Sequence, residues 1–255
     1  MGCRLLSGTG ADDSDNLDRE LTRRFARARG VRAVKTLICE WHPGAVESLA
    51  LPGDSLIAGA ICGAAALVQR SCVTVRNVVW EQDRRGFFET LKRMKGSVSW
   101  LTAEKASPFD TANITVEWHP LEGVHITTEQ ALTMRSELPI LAVVASCASG
   151  TTVIREDSAI PSKGQVTFRL LAQGLVEMGA HVGDFTDGIV LDGVTELRGA
   201  HVNASKDPSV ALALAMAALG ASGETEIDDI PDEHPALAEL LKALETVTSS
   251  TISHE

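Results

Sequence analysis

Three stretches of this 255-residue chain follow one plan, and that internal repeat restricts the fold more than any other feature. The first runs from Ala64 to Trp100, the second from Ala142 to Val182, and the third from Ala215 to Val247. Each passes from an Ala-rich helix end through a tight break into an alternating strand, then a polar connection and an amphipathic helix. The strands begin near Val73, Thr152 and Thr225, so the unit recurs with a period of roughly 75 residues. Val73-Thr74-Val75-Arg76 and Thr152-Val153-Ile154-Arg155 send successive side chains to opposite faces, as half-buried strands do. The helices carry apolar residues at three- and four-residue steps: Phe87, Leu91 and Met94; then Leu170, Leu171, Leu175 and Met178; then Leu237, Leu240, Leu241 and Leu244. Further strands are expected at Asn113 to Trp118, Gly188 to Leu191 and Ala200 to Asn203. The expected class is α/β (α+β), with mixed sheets and helices packed on one face of them.

Ahead of the repeats, residues 1–13 are rich in Gly, Ser and Asp and read as a loose tail. Asp15 or Asn16 is placed to cap a helix from about Leu17 to Arg29. Val31 to Cys39 and Val46 to Leu51 read as strands around a His42-Pro43-Gly44 turn. No linker interrupts the repeats, so residues 14–248 are expected to form one lobe, with 249–255 a second tail.

Charge and composition exclude several classes. A net charge of −11 argues against nucleic acid, whose binding depends on Lys and Arg neutralising phosphates. No apolar run approaches the ~18–20 residues that span a bilayer, and Leu56 to Val68 reads as a buried helix. Leu6 stands where a myristoylation pattern needs Ser or Thr, and no secretory leader is apparent. The five cysteines are scattered without a CxxC pair, which fits buried thiols in a reducing cytoplasm. Cys39 and His42 lack the second ligand pair of a metal site. His42, His119 and His125 show no triad spacing, and Trp80, Trp100 and Trp118 read as packing residues. With no Gly-rich phosphate loop, dinucleotide fingerprint or metal cluster in the sequence, no cofactor is expected.

Three motifs carry a resemblance: LPGDSLIAGAICGAAAL from Leu51, NVVWEQDRRGFFETLKRMKG from Asn77, and SELPILAVVASCASGTTVIR from Ser136. They resemble the EPSP synthase family, and the likeness runs from about Leu21 to Leu244 and matches only the C-terminal half of that family. It implies a lobe of three βαβαββ-type units, with helices inside and sheets outside. It also implies a reaction in which an enolpyruvyl group passes from phosphoenolpyruvate to shikimate 3-phosphate, in the cytoplasm.

At the positions to which the family assigns its chemistry, the residues differ. Its catalytic Asp falls on Ser136, a hydroxyl that needs an activating base before it can take a proton. Its catalytic Lys falls on Gln165 and its phosphoenolpyruvate-binding Arg on Arg169, with Lys163 able to replace the Lys in a shifted register. The neighbouring Glu and Asp become Val166 and Phe168. A His and a second Arg become Pro208 and Ser209, where Asp207 and Pro208 still suit a helix start. A last Lys falls on Asp232. Arg169 and Lys163 are therefore the candidate anion-binding residues, and Glu137 is expected to cap the helix that follows it. The resemblance with these losses implies a binding or regulatory pseudo-enzyme. Its partner is a phosphorylated small molecule, a second lobe, or a second copy of the chain on the inter-lobe face. The alternative is the C-terminal half of a two-chain transferase.

Overall fold

The computed structural model describes residues 3–4, 38–39, 52–102 except 83, 110–155 except 135, 163–185, 188–231, 237–238 and 240. The chain divides into two units, Met1–Leu51 and Pro52–Glu255. In the first, β1 (Cys3–Arg4) pairs antiparallel with β2 (Ile38–Cys39), which places Cys3 opposite Cys39. The helix expected at Leu17–Arg29, the strand at Val46–Leu51 and the C-terminal tail lie outside the described residues.

The second unit begins with α1 (Ser55–Leu67), β3 (Cys72–Val79), α2 (Gly86–Arg93), β4 (Ser97–Thr102) and β5 (Thr111–Glu117). It continues with β6 (His125–Ile126), α3 (Thr128–Leu132), α4 (Leu138–Ser146), β7 (Thr151–Arg155) and α5 (Lys163–Glu177). Then follow β8 (His181–Phe185), β9 (Gly188–Asp192), β10 (His201–Asn203), α6 (Pro208–Gly220) and β11 (Glu226–Asp228). The expected strands at 113, 188 and 200 correspond to β5, β9 and β10. Strands β4 and β8 were not foreseen: Ser97–Thr102 and His181–Phe185 are short and each mixes Ser, Gly or charged residues into its alternation.

Sheet order is the same wherever it is fully described. β5 lies between β3 and β4, antiparallel to both, and β9 lies between β7 and β8, antiparallel to both. A parallel partner then joins the outer strand: Gly53 beside Val78 on β3, and β6 beside β7. β10 and β11 are paired parallel in the same way. In each case a helix connects the two parallel segments, namely α1, α4 and α6.

A bulge sets where α1 starts. The β3–β5 register slips between Val75 and Val78, and Asn77 takes φ 56° while its N–H donates to the Asn113 Oδ1 at 3.0 Å. This turns the Asn77 carbonyl outward to accept from the Gly53 N–H at 2.7 Å, and Val79 N–H donates to the Gly53 carbonyl at 3.0 Å. The next residue, Asp54, then stands at the head of α1.

α1, α4 and α6 are apolar all round, which is the signature of helices with neighbours on every side. They run parallel with small residues at the seam. Gly59 faces Phe87 and Glu137, Gly63 faces Met216, Ile140 and Val144, and Gly220 faces Leu67. Leu141, Val143, Val144, Leu212, Leu214 and Met216 are buried there, each large side chain contributing about 1.5–3 kcal/mol by leaving water. The sheets cover the outside of this bundle. Trp80 packs on Phe88 and Trp100 at centroid distances of 5.7 and 5.1 Å, as expected for structural indoles. No described helix is long and apolar enough to cross a membrane.

A Cβ placed on Gly63 would lie 2.7 Å from the Met216 Sδ and 3.1 Å from the Ile140 Cγ2. Gly63→Val should therefore cost at least ~2 kcal/mol of unfolding free energy, whereas Val73→Thr on the half-buried outer strand should cost well under that. Urea titrations of both variants check this.

Candidate functional site at the helix N-termini

Because α1, α4 and α6 run parallel, their positive N-terminal ends emerge at one pole of the unit. Such an end is a natural seat for an anion, since its first N–H groups lack partners within the helix. Here the chain's own carboxylates stand at all three. Asp54 Oδ1 accepts from the Leu56 N–H at 2.7 Å and the Ile57 N–H at 3.4 Å. Asp207 Oδ1 accepts from the Ser209 and Val210 N–H groups at 2.8 and 3.2 Å, so Asp207 caps α6 and Pro208 opens its first turn, as the sequence implied.

Glu137 departs from its expected role. It sits at the N-cap of α4 without a side-chain bond to that helix. Its carboxylate instead accepts from the Ser55 hydroxyl at 2.9 Å, joining the head of α4 to the head of α1. Burial pushes its carboxyl above the ordinary value. The Ser55 bond, its own backbone N–H and the Arg84 guanidinium pull it back, and the Asp54 charge raises it.

The second linkage is between α5 and α6. Thr167 Oγ1 donates to Asp207 Oδ2 at 2.7 Å, so both oxygens of this carboxylate are engaged. Thr167 thus marks the face of α5 that turns toward the pole. Lys163 occupies the position one turn earlier on that helix. Arg169 lies two residues past Thr167, about 200° around the helix, and it is exposed.

The remaining candidates are dispersed. Ser136 is exposed, one residue before buried Glu137. Ser209 is half-buried and contributes its backbone N–H to the Asp207 cap. Gln165 lies in α5, and Asp232 lies outside the described residues. The Ser55–Glu137 and Thr167–Asp207 contacts were not anticipated, because their partners are 82 and 40 residues apart and follow no local pattern. A third cluster also escaped the sequence. His201, Glu226 and Asp228 bring potential ligand atoms within 4.8 Å on the exposed face of β10 and β11, with His201 Nε2 2.7 Å from Asp228 Oδ2. Parallel strand pairing, not sequence spacing, puts them together.

This architecture of parallel buried helices under mixed sheets is that of an enolpyruvyl-transferase lobe. An enolpyruvyl transferase, NikO from Streptomyces tendae, shares the fold at TM-score 0.57 and 21% identity, over 77% of this chain and 43% of that one. EPSP synthase from Acinetobacter baumannii matches at TM-score 0.69 and 25% identity, over 77% of this chain and 46% of that one. The family model for EPSP synthase (3-phosphoshikimate 1-carboxyvinyltransferase) matches residues 39–232. A 3-phosphoshikimate 1-carboxyvinyltransferase of Synechococcus sp. (strain RCC307) is 33% identical over 88% of this chain and 54% of its own length. One from Desulforamulus reducens is 32% identical over 94% of this chain and 53% of its own length. The chain belongs to the EPSP synthase family. It spans about half the length of the curated relatives it matches.

A raised folded-state pKa means the folded protein holds the Glu137 proton more tightly than the unfolded chain does. The contribution of this group is full below the ordinary value of 4.5 and is lost as pH rises through the raised value. Glu137→Gln keeps an acceptor for Ser55 and removes the titration. The stability difference between Glu137→Gln and wild type should thus shift in favour of the variant from pH 4.5 to 7, as read by urea denaturation across that range. Glu137→Ala should instead cost about 1–3 kcal/mol, because the buried Ser55 hydroxyl loses its acceptor.

Proposed function

We propose that this chain is a binding or regulatory lobe of the EPSP synthase family that does not transfer an enolpyruvyl group by itself. The observation that carries this reading is the set of carboxylates at the helix N-termini. Asp54, Glu137 and Asp207 stand where the positive ends of α1, α4 and α6 converge. A phosphate or carboxylate approaching that pole meets like charge and finds the first N–H groups of α1 and α6 already engaged. Two unit charges at 4 Å repel by about 1 kcal/mol even in bulk water, and by more in a partly closed cleft.

The family positions add support. Ser136 replaces an acid, and Pro208 and Ser209 replace a His and an Arg. A site lacking two such cations forgoes charge-assisted hydrogen bonds worth about 1.5–3 kcal/mol each. On this reading the three parallel strand–helix–strand crossovers are copies of one βαβαββ unit within a lobe spanning residues 14–248. The polar face that carries the carboxylates receives a second lobe or a second copy of the chain, in the cytoplasm, and any phosphorylated ligand is held jointly with that partner.

One observation favours a second reading, in which the chain is half of a two-chain transferase. Lys163 is the first residue of α5, four before Thr167, whose hydroxyl bonds the Asp207 cap. A cation there, completed by residues of a separate N-terminal lobe, would restore part of the anion site.

Isothermal titration of the 255-residue chain with shikimate 3-phosphate, then phosphoenolpyruvate, separates the two, with light scattering for mass. The expected result is no saturable heat below about 1 mM from a folded sample. A micromolar Kd for phosphoenolpyruvate that Lys163→Ala abolishes would overturn the first reading and establish the second.

A further inference from the structure

The parallel helices that place their N-termini at one pole place their C-termini at the other, and a cavity of about 340 Å³ lies there. Leu67 at the end of α1, Cys147 at the C-cap of α4 and Gly220 at the end of α6 all line it. Two connections close the sides: Trp118 and its neighbours after β5, and Gly193 to Glu196 after β9. Backbone bonds fix these walls. Ser149 N–H donates to the Leu121 carbonyl at 2.7 Å, and Val194 N–H donates to the Ser146 carbonyl at 2.8 Å. The volume falls within the range of small-molecule sites.

The charge of this cavity has one sign. Each helix C-terminus carries roughly half a negative elementary charge from the aligned peptide dipoles, and three of them meet here, with the last carbonyls of α4 accepting bonds from the Cys147, Ala148 and Val194 N–H groups. Among the described lining residues Glu196 supplies a carboxylate, and neither Lys nor Arg is present. The one imidazole, His119, has its Nδ1 2.9 Å from the Pro120 carbonyl. Trp118 offers a half-buried indole, and ring faces attract cations. The Cys147 thiol is raised, first by burial, and the Glu196 charge adds to the rise, while bonds from Ser146 and the Leu197 backbone lower it. A neutral thiol is a soft, weakly polar wall rather than an anionic ligand.

We infer that this cavity binds a small organic monocation with an apolar body, such as a quaternary ammonium or a protonated amine. The partial charges of the three helix ends and Glu196 hold the positive centre, and Trp118, Leu67 and Val194 hold its alkyl groups. An inorganic divalent ion fits less well, because only one carboxylate lines the cavity. The site lies at the opposite end of the helices from the acidic N-terminal pole, so it stands whether or not that pole takes part in catalysis.

Choline is the probe, and 3,3-dimethylbutan-1-ol, its uncharged analogue of the same shape, is the control. Ligand-observed NMR and tryptophan fluorescence follow both titrations. Choline should bind saturably, and the neutral analogue about tenfold more weakly or not at all. Glu196→Gln, at an exposed residue, should weaken choline by about fivefold or more with an unchanged melting temperature. Trp118→Leu should do the same while retaining an apolar wall. Equal binding of the two probes would make this an ordinary apolar hollow. No choline binding up to about 50 mM, or binding unaffected by Glu196→Gln, would also overturn the proposal.

Discussion

The close parallel packing of α1, α4 and α6 is the constraint from which the rest of the unit follows. Helices can lie this near only where small residues meet, and Gly59, Gly63 and Gly220 stand at those contacts. Their common direction comes from the topology. Each helix crosses between parallel strand segments of its own sheet, and such crossovers have one hand. Bulged β3, by presenting the Asn77 carbonyl to Gly53, sets the start of α1 and hence the height at which Asp54 meets its neighbours.

Parallel helices add their dipoles instead of cancelling them, so the unit acquires a positive pole and a negative pole. The chain treats the two differently. At the positive pole Asp54 and Asp207 bond to free N–H groups, each such cap being worth about 1 kcal/mol. Glu137 ties two helix heads together there at the expense of a buried carboxyl. At the negative pole the helix ends border a cavity. Stability is thus gained at the end where helix N–H groups would otherwise be open to an anion.

The sequence made much of the fold visible and little of the site. The alternation of Thr152 to Arg155 and the helical spacing of Phe87, Leu91 and Met94 are local signals, and both elements formed where expected. Strands β4 and β8 gave weaker signals, since pairing with β5 and β9 holds residues such as Ser99 and Gly183 that have little strand preference of their own. The Asp207 cap was legible because its cue is three adjacent residues. Glu137 was not, because Asp, Glu and Ser before an apolar helix suggest a local cap, whereas its partner Ser55 is 82 residues away. Matching a motif names Arg169 as an anion-binding residue, whereas the neighbouring Thr167 bond to Asp207, 40 residues away, follows no motif.

The central claim is that the chain's own carboxylates occupy the pole where the helix N-termini converge. The most direct measurement is inorganic phosphate titration, followed by amide chemical shifts, of wild type and of the triple variant Asp54→Asn, Glu137→Gln, Asp207→Asn. Asn caps a helix about as well as Asp, so the fold should survive. The account predicts that phosphate leaves wild-type amides 55–57 and 209–210 unmoved and shifts them saturably in the variant. Saturable phosphate shifts at those amides in the wild type, or none in a folded variant, would contradict it.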